Sequence, residues 1–404
     1  MCKMICDCCE SSLLKEIYEA TTSRRGLKVY QCNECGLVQS WPRVSGIYGT
    51  NVSVSSGASW GYVRYGKEQR LKDAIIFIER NNLKEALETS GFVLDIGANR
   101  GTFLKYAHKR CKELKDLVGV EPHYNTFADA VDEIDLLKST RKECNVNLIN
   151  SKIEDFRTDK KFDFIYCSHT LEHVNSARLV LEIIYTLLST EGLAYIEVPN
   201  IRAIDTDQPS EFFIDNHLYH FDSMSLKRML TGASLKVVCM ECTDTIIRLV
   251  CRQEDSFSSS KKSSKEEKGF DYSFKIRDYN ERLRTWRQSA DGISKILRSA
   301  KINGRNVVAW GAARTTHYLV ENSDFSYSDF DLIVDLYLSD KPKEILEELP
   351  FSVYAPSELN SYKDKPVTLF IGSVEFIDEI KEQAKKLIDD IEFVTIFSAK
   401  EVGS

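Results

Sequence analysis

A chain of 404 residues is long enough for two or three domains. Hydrophobic residues make up 43% of it and charged residues 28%, the balance of a globular protein with a substantial core. Its 54 Lys and Arg against 61 Asp and Glu give a net charge of −7, which argues against a broad basic face and therefore against nucleic acid as a partner. No apolar run approaches the roughly 18 to 20 residues that span a bilayer, so no membrane association is expected. The opening Met1-Cys2-Lys3-Met4-Ile5-Cys6 has no apolar signal-peptide core, and the expected location is cytoplasmic. In that compartment the 12 cysteines should be thiols or metal ligands rather than disulfides.

Six of those cysteines fall within the first 35 residues. Cys6 and Cys9 form one CxxC knuckle, Cys32 and Cys35 a second, with 22 residues between them. Two such knuckles complete a tetrahedron of thiolates around Zn²⁺, and four protein ligands leave no open position, so the zinc would be structural. Cys8 could replace Cys9 in this set. Residues 1 to about 45 thus read as a module too small to hold itself by burial alone. The stretch from Ile47 to Tyr62 is rich in Ser, Gly and aromatic residues, a composition that suits either a connector or a loop covering a ligand. Tyr48, Ser55, Ser56, Trp60 and Tyr62 are its candidate substrate contacts. Arg64 to Asn82 has helical spacing, with Leu71, Ala74, Ile75 and Ile78 on one face.

The next stretch organises the chain. Phe92 to Ile96 is an apolar strand that runs into the turn Gly97-Ala98-Asn99-Arg100-Gly101, a helix from Thr102 to Lys109, and a second strand, Asp116 to Val120, ending in Glu121-Pro122. This is half of a nucleotide-binding βαβ unit. The two glycines permit positive φ and close approach of a ligand, and the helix aims free N–H groups at the same place. A carboxylate at Glu121 can accept from both hydroxyls of a ribose. The spacing is GxxxG rather than the GxGxxG of a dinucleotide site, and Asp95 stands beside the turn. An acidic group there repels phosphate and suits a cation that carries an amine and a sulfonium.

Strand and helix continue to alternate. A helix is expected over Tyr124–Val131, a short strand at Asn147–Asn150, a strand over Phe162–Cys167, a helix around Leu179–Leu188, and a strand over Leu193–Val198 before Pro199-Asn200. The order predicts a parallel, doubly wound sheet. Ser168-His169-Thr170-Leu171-Glu172-His173 leaves the carboxyl end of a central strand, where side chains point into the ligand crevice. Beyond it lies Asn216-His217-Leu218-Tyr219-His220, then a helix over Leu226–Leu230 and strands near Leu235–Cys239 and Ile246–Cys251. A polar Ser- and Lys-rich linker follows. A long amphipathic helix then carries Ile276, Tyr279, Leu283, Trp286, Ile293 and Leu297 on one stripe. The last segment repeats α/β logic, with strands at Asn306–Trp310, Leu332–Asp335, Pro366–Ile371 and Glu392–Ile396 and a Gly311-Ala312-Ala313-Arg314 turn. Arg314 and Lys341 are candidate phosphate partners there. The expected domains are residues 1–70 (zinc module and covering loop), 71–255 (core), 256–270 (linker) and 271–404 (long helix and C-terminal Rossmann-like domain).

At Asp95, Gly97, Gly101 and Glu121 the chain resembles class I S-adenosylmethionine-dependent methyltransferases. The Cys-Asn-Glu-Cys-Gly-Leu-Val-Gln, Val-Leu-Asp-Ile-Gly-Ala-Asn-Arg-Gly, Leu-Glu-His-Val and Trp-Gly-Ala-Ala segments, in this order, are similar to those of the sugar C-methyltransferases. The resemblance implies a zinc module, a class I α/β core and a C-terminal Rossmann-like domain, acting on carbon C-3 of a nucleotide diphosphate-linked 4-keto deoxysugar. It implies S-adenosylmethionine as cofactor, bound at Asp95, Gly97, Asn99, Gly101, Glu121, Pro122, Ile153, Glu154, Ser168 and His169, with Ile153 packing the adenine and Glu154 accepting from its amino group. It implies His217 as the base that removes the proton next to the ketone, and His173 as a hydrogen-bonding partner of the sugar or the developing enolate. His220 and His169 are the next candidates for the base. The family places Glu directly before its base histidine, and this chain has Asn216, which can orient a ligand but supplies no charge. O-methylation of a sugar or other small metabolite is the second reading, and a non-catalytic zinc-ribbon binding protein the third. A monomer or small homo-oligomer is expected.

Overall fold

The computed structural model describes residues 4–20, 26–42, 67–141, 143–205, 212–214, 216–254, 270–312, 314–336, 339, 351–373 and 376–398. These divide into two compact units, one formed up to residue 277 and the other from residue 278 onward. The 256–270 linker, but for its last residue, lies outside the described residues. No described helix is long and apolar enough to cross a membrane.

The first unit begins with a small antiparallel meander: β1 (Leu14–Glu19), β2 (Lys28–Cys32) and β3 (Val38–Trp41). Cys6 and Cys9 precede β1, Cys32 ends β2, and Cys35 sits in the turn into β3. Gly36 takes φ +79° in that turn and donates its N–H to the Cys32 carbonyl at 3.0 Å, which closes the second knuckle.

After α1 (Lys67–Arg80) and α2 (Lys84–Glu88) the chain builds β4 (Phe92–Ile96), α3 (Thr102–Arg110), β5 (Asp116–Val120), α4 (Tyr124–Thr140), β6 (Asn145–Ile149), β7 (Phe162–Ser168), α5 (Ala177–Leu187) and β8 (Leu188–Pro199). The short β9 (Tyr219–His220), α6 (Ser223–Gly232), β10 (Leu235–Cys242) and β11 (Ile246–Gln253) complete it. The seven-stranded order is β10-β11-β8-β7-β4-β5-β6. Strands β6, β5, β4, β7 and β8 are parallel, as their crossover helices require, whereas β11 runs antiparallel to both neighbours. The wholly parallel sheet expected from alternation therefore ends in one hairpin, because the turn from β10 to β11 is too short for a crossover. Successive residues feed opposite faces: Leu94 and Ile96 enter one buried cluster and Val93 the other.

Helix α4 extends past the expected Val131 to Thr140, and β8 starts at Leu188, before Gly192. At Gly119 a Cβ would stand 2.7 Å from Leu104, so the bare backbone is what lets α3 lie close on β5. Helix α6 is capped by Asp222, whose side chain accepts from the Ser225 N–H while the Ser225 hydroxyl accepts from the Asp222 N–H.

Strand β9 was not expected. It pairs with β3, Val38 opposite His220 and Gln39 opposite Tyr219, so the loop carrying His217 belongs to the cysteine-bearing sheet. A second tie comes from Asp7, inside the first knuckle, whose carboxylate accepts from Ser176 Oγ at 2.8 Å and from the Arg178 N–H at 3.1 Å at the start of α5.

Helix α7 (Ser273–Ile302) carries the expected stripe, with Ile276, Tyr279, Leu283, Trp286, Ile293 and Leu297 all buried. The second unit is a parallel sheet of β13 (Leu332–Val334), β12 (Asn306–Trp310), β14 (Val367–Ile371) and β15 (Ile391–Thr395), with α8 (Arg314–Glu321) and α9 (Ile377–Ala384). Gly311 leaves β12 at φ +104° against Gly372, and Asp335 past β13 accepts the Ala312 N–H at 3.0 Å.

Candidate active site

The turn between β4 and α3 has the geometry its glycines predict. Gly97 and Gly101 take φ of +76° and +71°, and Asn99 takes φ +50° between them. Glu121, at the end of β5, is buried; its Oε2 accepts the Asn99 N–H at 2.7 Å and its Oε1 the His123 N–H at 2.9 Å. Each oxygen retains a second lone pair, the acceptor capacity that a pair of ribose hydroxyls needs. Asp95 is buried at the end of β4, in register with Gly119 and Tyr166.

A cleft of about 250 Å³, open mouth included, adjoins the turn; it is lined by Ile96, Gly97, Val120, Pro122, Lys152, Ile153, Glu154, Thr170 and Val174. Gly97, Pro122, Ile153 and Glu154, all expected to bind cofactor, thus line the same cleft. Ile153 and Glu154 sit on a 3-10 turn (Ile153–Asp155), and Glu154 Oε1 accepts the Asn175 N–H at 3.3 Å. Gly97 is tight against the cleft residue Thr170: an added Cβ would lie 2.2 Å from Thr170 Oγ1.

Thr170 belongs to the loop that leaves β7, and the rest of that loop builds a second cluster. His169, at φ +49°, faces Glu172 Oε1 through Nδ1 at 3.4 Å and Glu197 Oε1 through Nε2 at 3.3 Å. Glu197, in β8, is also reached by Ser168 Oγ at 3.2 Å, Tyr195 OH at 2.7 Å and Arg248 Nε at 3.2 Å. Ser168 and His169, expected at the cofactor, are therefore turned toward buried carboxylates. Burial works against a charged His169, but the Glu172 and Glu197 carboxylates facing its two nitrogens outweigh this and hold its pKa above the ordinary value.

His173 Nδ1 lies 2.7 Å from the Asn216 carbonyl, which can only accept, so Nδ1 carries the hydrogen. Its Nε2 then points to Glu172 Oε1 at 3.6 Å. The His217 ring meets that of His173 edge to face, centroids 4.8 Å apart. Glu172, His173 and His217 each present an oxygen or ring nitrogen within 4.8 Å of the others. Desolvation pushes the His217 pKa well below its ordinary value, and the charge of His173 adds to this, so the imidazole is neutral at neutral pH. Asn216 acts here through its carbonyl. His220 occupies a packed position, with Nε2 2.8 Å from Ser40 Oγ and its ring edge-on to Phe213 at 4.7 Å. Glu172, Glu197 and Arg248 were not among the residues expected in the site; Glu172 inside Leu171-Glu172-His173 and Glu197 inside the strand before Pro199 were the available signals.

The four cysteines converge as well. Sγ atoms of Cys6 and Cys35 are 3.4 Å apart, those of Cys9 and Cys32 3.6 Å, and all four lie within 4.8 Å. A tetrahedral Zn²⁺ with Zn–S of about 2.3 Å sets sulfurs roughly 3.8 Å apart, so the four positions fit the metal with small adjustment. Interactions within the cluster push the Cys32 pKa down and those of Cys6 and Cys35 up. Four thiolates would repel one another without a cation between them. Cys8 is half-buried beside this set, and a hydrogen bond from Cys35 lowers its pKa.

Tyr48, Ser55, Ser56, Trp60, Tyr62 and Lys341 lie outside the described residues, as does the side chain of Arg314, whose backbone begins α8.

Residues 65–240 match a family model described as a methyltransferase domain. Among characterised proteins, the chain is similar to (S)-coclaurine N-methyltransferase of Papaver somniferum, 22% identical over 153 residues that make up 37% of this chain and 40% of that enzyme. It is also similar to (S)-tetrahydroprotoberberine N-methyltransferase of Eschscholzia californica, 24% identical over 148 residues, 34% of this chain and 39% of that enzyme. The chain thus spans about two fifths of the length of the curated relatives it matches. Among solved structures, a SAM-dependent methyltransferase from Aquifex aeolicus is 16% identical, with a TM-score of 0.38, over 48% of this chain and 97% of that one.

Proposed function

We propose that this chain, which carries a methyltransferase domain, transfers the methyl group of S-adenosylmethionine to carbon C-3 of a nucleotide diphosphate-linked 4-keto-6-deoxysugar. One observation carries the reading: the His217 imidazole is set beside the buried Glu172 carboxylate and the oriented His173 ring, next to the loop after β7 whose Thr170 and Val174 line the cofactor cleft.

The residues fit the cofactor. Gly97 lines the cleft, Glu121 has lone pairs for the ribose, Ile153 offers an apolar face for adenine and Glu154 an acceptor for its amino group. Asp95 supplies negative charge for a cationic ligand. When bound, S-adenosylmethionine supplies an electrophilic methyl group to the acceptor carbon and leaves as S-adenosylhomocysteine. Carbon has no lone pair, so the acceptor must first become a carbanion equivalent. His217 removes the proton next to the ketone; the C–H electron pair moves to form the enolate, and the proton stays on the imidazole until water takes it. His173 fixes the His217 loop through its Nδ1–H bond to the Asn216 carbonyl. Zn²⁺ would be held by Cys6, Cys9, Cys32 and Cys35 as a structural ion with no open position.

The test is incubation with labelled S-adenosylmethionine and a panel of dTDP-, GDP- and CDP-linked 4-keto deoxysugars in D₂O. Exchange of the C-3 proton, with or without the methyl donor, and label at C-3 are expected. His217→Ala should abolish exchange and leave cofactor affinity nearly intact. Methyl transfer to a 4-hydroxy sugar without any exchange overturns the enolate route in favour of O-methylation.

A further inference from the structure

Glu172 is 1% exposed, and neither of its carboxylate oxygens receives a hydrogen bond among the described residues. A bare buried carboxylate is costly unless positive charge faces it. Three imidazole rings surround this one. His169 Nδ1 approaches Oε1 to 3.4 Å from the end of β7, His173 Nε2 to 3.6 Å from the following turn, and His217 from the loop before β9. The main-chain carbonyl of Glu172 also accepts the N–H groups of Leu218 and Tyr219, at 2.7 and 3.3 Å, so one residue fixes both the field and the backbone of the His217 loop.

The charges are unevenly shared. His169 lies between two carboxylates, but Glu197 is already met by Arg248, Tyr195 and Ser168. His173 is committed through Nδ1 to the Asn216 carbonyl, which keeps its Nε2 turned toward Glu172. The groups facing His217 are His173, Glu172, His220 and His169, and Glu172 is the single anion among them. Glu172 is therefore the group whose field favours a proton on His217.

We propose that Glu172 is the positioning residue of the histidine base, holding the His217 loop in place and stabilising the imidazolium that forms when His217 takes the acceptor's proton. The proposal rests on the reading of His217 as base given above. Asn216 provides no carboxylate next to the base, and Glu172 supplies one from a different segment of the chain.

The test uses full-length protein and first requires no substrate. In an NMR pH titration the His217 ring should take its proton at least one pH unit lower in Glu172→Gln than in the native chain, with Glu172→Asp between the two. The ¹³C carboxyl resonance of Glu172 in the native chain should step at the pH where His217 titrates, and that step should vanish in His217→Gln. This second measurement stands if Glu172→Gln does not fold. With substrate, Glu172→Gln should lower the exchange kcat about 100-fold with KM and cofactor affinity changed less than twofold, and should move the acid limb of the rate profile to lower pH. An unshifted His217 titration in folded Glu172→Gln, or no step at the Glu172 carboxyl, overturns the proposal. Intact coupling with no exchange from any ketosugar overturns the sugar reading alone.

Discussion

Val38, three residues past the second cysteine knuckle, stands opposite His220, three residues past His217, in the antiparallel pairing of β3 with β9. The Ser40 N–H reinforces it by donating to the Leu218 carbonyl at 2.9 Å, and Arg228 of α6 donates to the Cys35 carbonyl. The cysteine module is therefore a template for the loop that carries the proposed base. Removing the Zn²⁺ proposed for it, by chelation or by Cys32→Ser, is expected to displace that loop without touching the cofactor turn. A shift of about 1 Å at a catalytic group costs on the order of 100-fold in rate. The expected result is a kcat lower by about that factor, an S-adenosylmethionine affinity changed less than twofold, and about one zinc per chain in the native protein. Metal analysis with calorimetry on the same samples checks it; full turnover by the metal-free protein would sink the idea.

Glu121 and Asn99 set the cofactor turn through the 2.7 Å bond from the Asn99 N–H. Glu121→Ala removes the acceptors proposed for the ribose and leaves two main-chain N–H groups, those of Asn99 and His123, without their partner. Hydrogen bonds to a charged group contribute about 1.5–3 kcal/mol, so cofactor affinity should fall roughly 10- to 150-fold. Glu121→Gln should fall between. Calorimetric titration with S-adenosylmethionine reads both, and equal affinities across the three proteins would refute the assignment.

Much of this was legible from local pattern. The glycine turn after β4, the acidic end of β5 and the stripe of α7 are set by chain neighbours within one βαβ unit or one helix, and each stands where periodicity put it. What sequence did not disclose depends on contacts between distant segments. Strand β9 has two residues, too few for an alternation to register, and exists because β3, some 180 residues earlier, offers it an edge. The reversal of β11, by contrast, follows from the short turn between it and β10. Glu172 reads as an ordinary acidic residue in a loop until the fold gathers His169, His173 and His217 around it. His220 shows the converse: a histidine near the motif whose ring the fold commits to Ser40 and Phe213.

Gly97 faces Thr170 so closely that its missing side chain is a packing requirement. At φ +76° an L-residue costs roughly 1–2 kcal/mol, and an added Cβ would also meet Thr170 Oγ1 at 2.2 Å. Gly97→Ala should therefore lower stability by about 2–4 kcal/mol and abolish cofactor binding. Pairing it with Thr170→Ala relieves the clash and leaves the backbone strain, so a double-mutant cycle should give a coupling of about 1 kcal/mol. Urea unfolding of the four proteins measures it, and strict additivity would rule the contact out.

Buried histidines make a signed prediction about acid. Burial lowers the His220 pKa to about 3, below the 6.5 of the unfolded chain. The native state thus resists a proton that the unfolded state accepts, and stability is full above pH 6.5 and declines as pH falls from 6.5 toward 3. His217 acts in the same direction. His169 has a raised pKa, so its contribution is fully present below the unfolded value and is lost as pH rises through its folded one. Glu172, lowered to about 2 by the charges of His173, His169 and His217 despite its burial, keeps its contribution down to pH 4.5 and loses it from there toward 2. Between pH 7 and 5 the depressed histidines therefore dominate. His220 alone should cost about 2 kcal/mol over that interval, at 1.36 kcal/mol per pH unit. His220→Gln, which keeps an amide to meet Ser40, should flatten the fall in urea-unfolding free energy by that amount. Parallel profiles for the variant and the native chain from pH 5 to 7 would show that His220 is not the group titrating.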